Sequence, residues 1–444
     1  MKSLKKVVCI FLTSLILFTT AAGCTTKTPG STTSPSPTAS EPANQEPVTI
    51  RFMSWGPTEA ITTPIYEKIK ENFEKENENI KIEWVSVPFG NMKQQAFIYA
   101  ASEDLPDVVE SHISWTPSFV TSDIMRPLND LFSEDFLNDF LPESLQEGSF
   151  NGELRAVPKA LTPVVLFYNK ELFKEAGLDP EAPPKTYDEM LSMAEKIAKL
   201  KTDSGDAIYG LGEPVSKQAN TGQLSLRNWY NFEAISFDQD GKIRINKDAA
   251  VDTLAYYRSL SEKAIAPQSA LPKDLRNLFA QGRLGMMFDI CSTATINLLS
   301  GKGKDFEKEY GLALVPVNKT GESSSVSVTY FLSIANNSKN PEEAAKVIEY
   351  FTSKEALEAF VEADNPFQPA RVSIMDDPVF NNTDTQKLMR DQYVNYNNPT
   401  PPNNEKLEEA YVDIITSVQE ALQTNENLDS IAERLMGKLT SIYK

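Results

Sequence analysis

From Val48 onward the chain alternates. In Val48-Thr49-Ile50-Arg51-Phe52-Met53-Ser54-Trp55 the strand formers recur with period two, and Gly56-Pro57 ends the run. The period then changes, with Ile65, Ile69 and Phe73 on one helical face. Residues 80–85 read as a second strand, 92–102 as a second helix and 107–110 as a third, short strand. The pattern resumes with a buried-type strand at 164–168. A capping box follows, Thr186 to Glu189, opening a helix with Met190, Met193, Ala194 and Ile197 inward. Strands are expected at 208–211, 243–245, 284–288 and 310–314, a helix at 249–263, and extended chain at 326–334. Asn340-Pro341 opens a helix carrying Ala344, Val347, Ile348 and Phe351, and a last long helix carries Leu407, Ala410, Tyr411, Ile414, Val418 and Leu422. Strands alternating with helices predict an α/β protein with largely parallel sheets.

The first 46 residues follow a different pattern. Met1 to Lys6 is basic and Val7 to Phe18 is apolar, the order of an export signal. That run is shorter than the roughly 20 residues a spanning helix needs. Thr20-Ala21-Ala22-Gly23-Cys24 then resembles the lipobox of bacterial lipoproteins, which implies cleavage before Cys24 and lipidation of its sulfur. A signal peptide with an incidental cysteine is the alternative. From Thr25 to Glu46 there is no Val, Ile, Leu or aromatic residue, so the segment cannot bury enough apolar surface to order itself. It reads as a Thr/Ser/Pro tether (24–46) behind a signal peptide (1–23), with membrane attachment through the lipid anchor only.

At 444 residues the chain is long enough for two domains. A formal charge of −19 argues against nucleic acid as partner, because phosphates would be repelled. Cys291 has no partner outside the leader, so no disulfide framework is expected and a packed, unreactive thiol is the ordinary reading. With one histidine, His112, neither a histidine metal site nor a conventional triad is expected. No cofactor motif is visible.

The order of several motifs resembles the extracellular sugar-binding components of ATP-driven importers, solute-binding family 1. Leu105-Pro106-Asp107-Val108-Val109, Met125-Arg126-Pro127-Leu128-Asn129 and Asn151-Gly152-Glu153-Leu154-Arg155-Ala156-Val157-Pro158 each match a family segment, the last with a less usual Leu154-Arg155. The strongest stretch is Phe167-Tyr168-Asn169-Lys170-Glu171-Leu172-Phe173-Lys174-Glu175-Ala176-Gly177-Leu178, followed by Pro183-Pro184-Lys185-Thr186-Tyr187-Asp188-Glu189. Phe279-Ala280-Gln281-Gly282-Arg283-Leu284-Gly285-Met286-Met287 and the segment from Ser333 to Ala345 complete the series.

The resemblance implies a two-lobed, periplasmic-binding-protein-like fold of type II, each lobe a mainly parallel sheet flanked by helices, with three hinge crossings. By analogy these crossings fall near 160–163, 328–332 and 368–371. The N-terminal lobe would be 47–161 with 332–368, and the C-terminal lobe 162–331 with 369–444. It further implies a non-enzymatic, monomeric protein on the extracytoplasmic face of a bacterial membrane. Such a protein takes up a mono- or oligosaccharide and delivers it to the permease subunits of an ABC transporter. A surface carbohydrate-active enzyme, an adhesion protein, and the same fold binding a peptide or metal chelate are the rivals.

Ligands of open α/β sheets bind beyond the carboxyl ends of strands. A sugar offers hydroxyls to planar polar groups and an apolar face to aromatic rings. These rules select Trp55, Glu110, His112, Trp229, Asp289 and Tyr330. Arg371 is added by the family resemblance, which places a ligand-proximal arginine after Pro369-Ala370. Packing is the competing role for Trp55 and Trp229, and a cap or buried ion pair for Asp289. Trp84 and Trp115 are read as core.

Overall fold

The computed structural model describes residues 46–443, apart from 239–240, 319–320, 322, 364–366, 397–400 and 402. The leader, Cys24 and the tether lie outside the described residues. Residues 46–444 cluster as one compact unit containing two main sheets.

The first sheet holds β1 (Val48–Ser54), β2 (Ile80–Ser86), β3 (Val108–His112), β4 (Val157–Ala160) and, arriving much later in the chain, β9 (Tyr330–Ile334). Its order is β2-β1-β3-β9-β4. The second sheet holds β5 (Val164–Asn169), β6 (Tyr209–Gly212), β7 (Leu284–Ile290) and β8 (Tyr310–Ala313), in the order β8-β5-β7-β6. Both sheets are covered on two faces, and the period-two pattern sorts the side chains between them. Ile50, Phe52, Val108, Leu332 and Ile334 enter one core of the first sheet, while Met53 and Val109 enter the other. In the second sheet Val164, Leu166, Met286 and Phe288 face one core, and Val165, Phe167 and Met287 the opposite one. Fully burying side chains of this size contributes about 1.5–3 kcal/mol each before entropy is counted.

Both sheets are mainly parallel in direction, as expected, but each is mixed through one reversed strand. Strands β1, β2 and β3 run parallel, but β9 is antiparallel to both of its neighbours. In the second sheet β5 is antiparallel to β7 and β8, while β7 and β6 are parallel. The cause is connectivity. A strand reached through a helix on the sheet's face re-enters at the same end as its predecessor. Strands β5 and β9 instead come directly from the other sheet, so each enters at the opposite end and runs against the rest.

Three stretches that join the halves lie side by side. Leu161 and Gln368 exchange backbone hydrogen bonds at 2.9 and 3.3 Å, Val328 N–H donates to the Thr162 carbonyl at 3.0 Å, and Val164 N–H donates to the Val326 carbonyl at 2.9 Å. After Gln368 the chain does not pass to the second half at once, as the lobe boundary at 369 supposed. Ala370 and Met375 pack into the first sheet's core, and only the helix Asp384–Tyr396 reaches β5 and β8. The apolar character of these residues finds its complement in Phe136 and Phe140.

The helix Tyr187–Ile197 is capped as its sequence suggests, Thr186 Oγ1 accepting from Glu189 N–H at 3.1 Å. The Glu189 carboxylate reaches back to the N–H of Lys185, one residue earlier than a standard box. The helix Leu407–Gln423 packs along Ala219–Asn231, Lys247–Glu262 and Leu428–Ile442, so it is not the last long helix.

Candidate functional site

The carboxyl ends of β1, β2, β3 and β4 and those of β6, β7 and β8 all point to the junction of the two halves, because the reversed strands are the ones that enter there. The loop after β1 is shaped by Gly56. A Cβ on Gly56 would lie 2.1 Å from the Tyr66 ring, so only glycine lets the chain pass that close. Beneath it lies a closed polar cluster. Glu110, with no exposed surface, accepts from Ser54 Oγ, from Tyr66 OH at 3.1 and 3.2 Å, and from Lys159 Nζ. Lys159 also donates to Tyr66 OH at 2.6 Å. Burial, then the Glu110 charge, pushes the Tyr66 hydroxyl well above its ordinary pKa, so it stays protonated. The carboxylate that the sequence offers to ligand is thus consumed in positioning Tyr66 and Lys159.

Above this cluster stands an aromatic wall. Trp55 contacts Phe89 at 5.3 Å, Tyr330 at 5.2 Å and Trp115 at 6.2 Å between ring centroids. His112 stacks at 5.5 Å on Trp115 and lies 6.0 Å from Phe89 and from Tyr330. Tyr330, Phe89 and Trp115 are half-buried, while Trp55 is 8% exposed and its face is largely taken up by its neighbours. His112 Nδ1 accepts from Ser114 N–H at 3.2 Å and lies 2.9 Å from Ser114 Oγ. Burial lowers its pKa to about 4, so the ring is neutral at physiological pH and carries its proton on Nε2.

From the second half, Asp289 at the end of β7 accepts two bonds from Arg276, at 2.6 Å from Nε and 2.8 Å from Nη2, and one from the N–H of Ile290 at 2.8 Å. Tyr330, the first residue of β9, packs against the cores of both halves and feels the charge of Arg276, so it spans the junction. Burial pushes its hydroxyl up to about 12. Glu59, just past the Gly56 turn, is exposed. Its carboxyl is raised from the ordinary value, first by desolvation and then by Glu110, against the pull of Lys159 and Arg276.

The structure therefore brings Trp55, His112, Tyr330 and Asp289 to the junction, with Glu110 underneath. Trp229 and Arg371 stand apart. Trp229 is fully buried in the second sheet's core, and its Nε1 has no partner among the described residues. Arg371 donates from Nε to Asp139 at 2.7 Å and stacks 5.3 Å over Phe136, so its guanidinium is committed to the first half. Phe89, Glu59, Lys159 and Arg276 were not singled out from sequence. The strand-end rule reaches Phe89, two residues past Val87, and Lys159 beside Pro158, but no local signal marks Arg276 on the helix Pro272–Ala280.

A second buried network lies inside the second half. Arg227 meets both Glu213 oxygens at 2.7 Å and stacks 3.5 Å over Phe288, while Tyr256 and Asn228 also donate to Glu213. It braces the strand that carries Asp289. Cys291 is buried among apolar neighbours, and desolvation pushes its thiol up to about 12, so it holds no thiolate. Among the described residues no group of His, Cys, Asp and Glu is arranged to hold a metal, and no helix is long and apolar enough to cross a membrane.

Two lobes with mixed sheets, three adjacent connections and strand ends that converge on an aromatic and charged junction define a two-lobed solute-binding fold. Residues 56–358 match the family described as bacterial extracellular solute-binding protein, and the chain belongs to it. A binding protein of Brucella abortus (strain 2308) is 28% identical over 301 residues, 67% of this chain and 70% of that one. The sn-glycerol-3-phosphate-binding periplasmic protein UgpB of Escherichia coli (strain K12) is 25% identical over 289 residues, 61% of this chain and 62% of its own length. Among solved structures, the GacH receptor of Streptomyces glaucescens, determined unliganded and with acarbose, superimposes with a TM-score of 0.76 at 21% identity, over 90% of this chain and all of that one. An ABC transporter solute-binding protein from Thermotoga lettingae, bound with α-D-tagatose, gives a TM-score of 0.77 at 21% identity over the same shares.

Proposed function

We propose that this protein captures an uncharged mono- or oligosaccharide between its two lobes and delivers it to an ABC permease. The observation that carries the reading is the half-buried wall of Phe89, Trp115 and Tyr330, backed by Trp55, beside hydrogen-bonding groups already held in place by partners. Rings of this kind stack on the apolar face of a sugar, and oriented polar groups meet its hydroxyls. The sugars bound by the structural relatives agree with it; the glycerol phosphate ester in the name of UgpB is the competing ligand class.

In this reading the lobes meet at 160–164, 326–330 and 368, and ligand favours the closed arrangement by touching both. The protein acts as a monomeric carrier and not as an enzyme. It is held outside the cell by a lipid on Cys24 and a Thr/Ser/Pro tether. Titration calorimetry against neutral mono- and oligosaccharides, paired with small-angle scattering, tests the proposal. The expected result is saturable binding with a smaller radius of gyration. Binding without compaction rejects closure, and turnover of a labelled oligosaccharide rejects the carrier role. Mass spectrometry of protein extracted from membranes checks the acyl chains on Cys24.

A further inference from the structure

The helix Pro272–Ala280 is anchored by Leu275 and Phe279, which enter the core shared with Val165, Phe167 and Met287. That anchoring sets Arg276 over the end of β7, where its Nε and Nη2 meet the two Asp289 oxygens at 2.6 and 2.8 Å. The acid is itself held, since it also accepts the N–H of Ile290 at 2.8 Å. Asp289 pairs with Val165 in the sheet, and two residues further on Cys291 N–H donates to the Pro163 carbonyl at 3.0 Å. The ion pair therefore stands beside the first connection between the halves, where Ile290 and Tyr330 pack on one core.

A guanidinium is planar and carries five N–H donors, so a bidentate carboxylate leaves three of them over. Nη1 and the outer N–H of Nη2 make a second edge in the same plane, turned away from Asp289. Among the described residues none accepts a hydrogen bond from that edge. The Arg276 side chain is 15% exposed against 1% for Asp289, so the access that remains at this pair belongs to the arginine. Two parallel donors fit two neighbouring oxygen atoms, the arrangement offered by adjacent hydroxyls on a sugar ring. Asp289 balances the charge and fixes the plane, so little freedom is lost when the edge is used. We propose that Arg276 is the second half's specificity residue, reading a pair of adjacent ligand hydroxyls, with Asp289 as the residue that positions it. This rests on the sugar-capture reading above and adds to it the group that decides which diol is accepted.

The test is titration calorimetry of wild type and Arg276→Lys with D-glucose, D-galactose, D-mannose, D-xylose, maltose and cellobiose. Monodeoxy derivatives of the sugar that binds best are titrated next. Lysine keeps a charge for Asp289 but has no second edge. The variant is expected to bind that sugar at least about tenfold more weakly, about 1.4 kcal/mol, with a melting temperature close to that of wild type. In wild type, removing either of two adjacent hydroxyls is expected to weaken binding by a similar factor. In Arg276→Lys that preference for the parent sugar is expected to disappear, because the contact is already gone. Should the lysine variant not fold, Arg276→Gln, which still donates to Asp289, takes its place. A variant that binds the sugar as tightly as wild type overturns the inference and leaves the sugar reading standing. So does a variant that keeps the full preference for parent over deoxy sugar, since the ion pair then acts through the fold alone. A wild type that binds none of these sugars overturns the sugar reading, and this inference with it.

Discussion

Glu110 sits without exposed surface among Ser54, Tyr66 and Lys159, and its position explains what single residues can and cannot reveal. Removing one member of a buried pair leaves the other charge uncompensated, at a cost of about 3–5 kcal/mol. Lys159→Met is therefore expected to lower stability by that order in urea unfolding. Lys159→Met with Glu110→Gln should recover part of the loss, giving a double-mutant coupling above about 1 kcal/mol. His112 gives a pH dependence of known sign. Its folded pKa of about 4 lies below the unfolded value of about 6.5, so the unfolded chain binds the extra proton. The stability it confers is complete above the unfolded value and declines as pH falls from there toward 4. Between pH 7 and pH 5 the loss from this group is about 2 kcal/mol. Comparing denaturation of wild type and His112→Gln at both values isolates it, and equal pH slopes would contradict the assignment. That His112 and Glu110 end a strand was legible from the run before them. That one is a neutral ring in an aromatic wall and the other an internal acceptor was not, because both depend on residues distant in sequence, Phe89 and Tyr330 for His112 and Ser54, Tyr66 and Lys159 for Glu110.

At the scale of elements, the helix Ala219–Asn231 has nearly every side chain buried from Thr221 onward, including Gln223, Arg227 and Asn228. Its polar sequence, with Gln223, Ser225, Arg227 and Asn228 around the few apolar residues, makes Trp229 look like a candidate for ligand contact. The helix can be buried because Glu213, Tyr187 and Tyr257 pair with Arg227 and Asn228 from other elements, Tyr256 in turn donating to Glu213. Contact with the helix Leu407–Gln423 is close enough that a Cβ on Gly222 would fall 2.0 Å from the Tyr411 carbonyl oxygen. Gly222→Ala must push the two helices apart, and an overpacking cost of about 1–3 kcal/mol is expected in thermal or chemical unfolding. Unchanged stability would mean that the helices sit further apart in solution. The strands β1, β2, β3, β5 and β7, by contrast, fall where alternation and apolar runs place them, because their cores are assembled from near-continuous Val, Ile, Leu, Met and Phe.

Across the whole molecule, the two halves touch both at the backbone connections and away from them. Lys93 of the helix Phe89–Ala101 pairs with Glu408 of the helix Leu407–Gln423, both side chains partly exposed. Thr329 Oγ1 donates to Glu147 at 2.6 Å, and Asn403 Nδ2 donates to the Glu147 carbonyl at 2.6 Å. A partly exposed pair contributes roughly 0.2–1 kcal/mol. If it forms only when the lobes are together, Glu408→Gln should weaken ligand binding by about two- to threefold, with the difference vanishing at high salt. Titration at low and high salt decides it, and an effect independent of salt would show that the pair acts by packing.

The sequence by itself determined the alternation of strands and helices, the family segments in their order and the strand ends on which a site is built, since these follow from local periodicity and short motifs. Only the tertiary structure decided which strands run backward, which carboxylates are consumed by internal partners, and that Arg276 holds Asp289 at the junction. Those outcomes depend on how distant segments are threaded between two sheets, and no window of neighbouring residues carries that information.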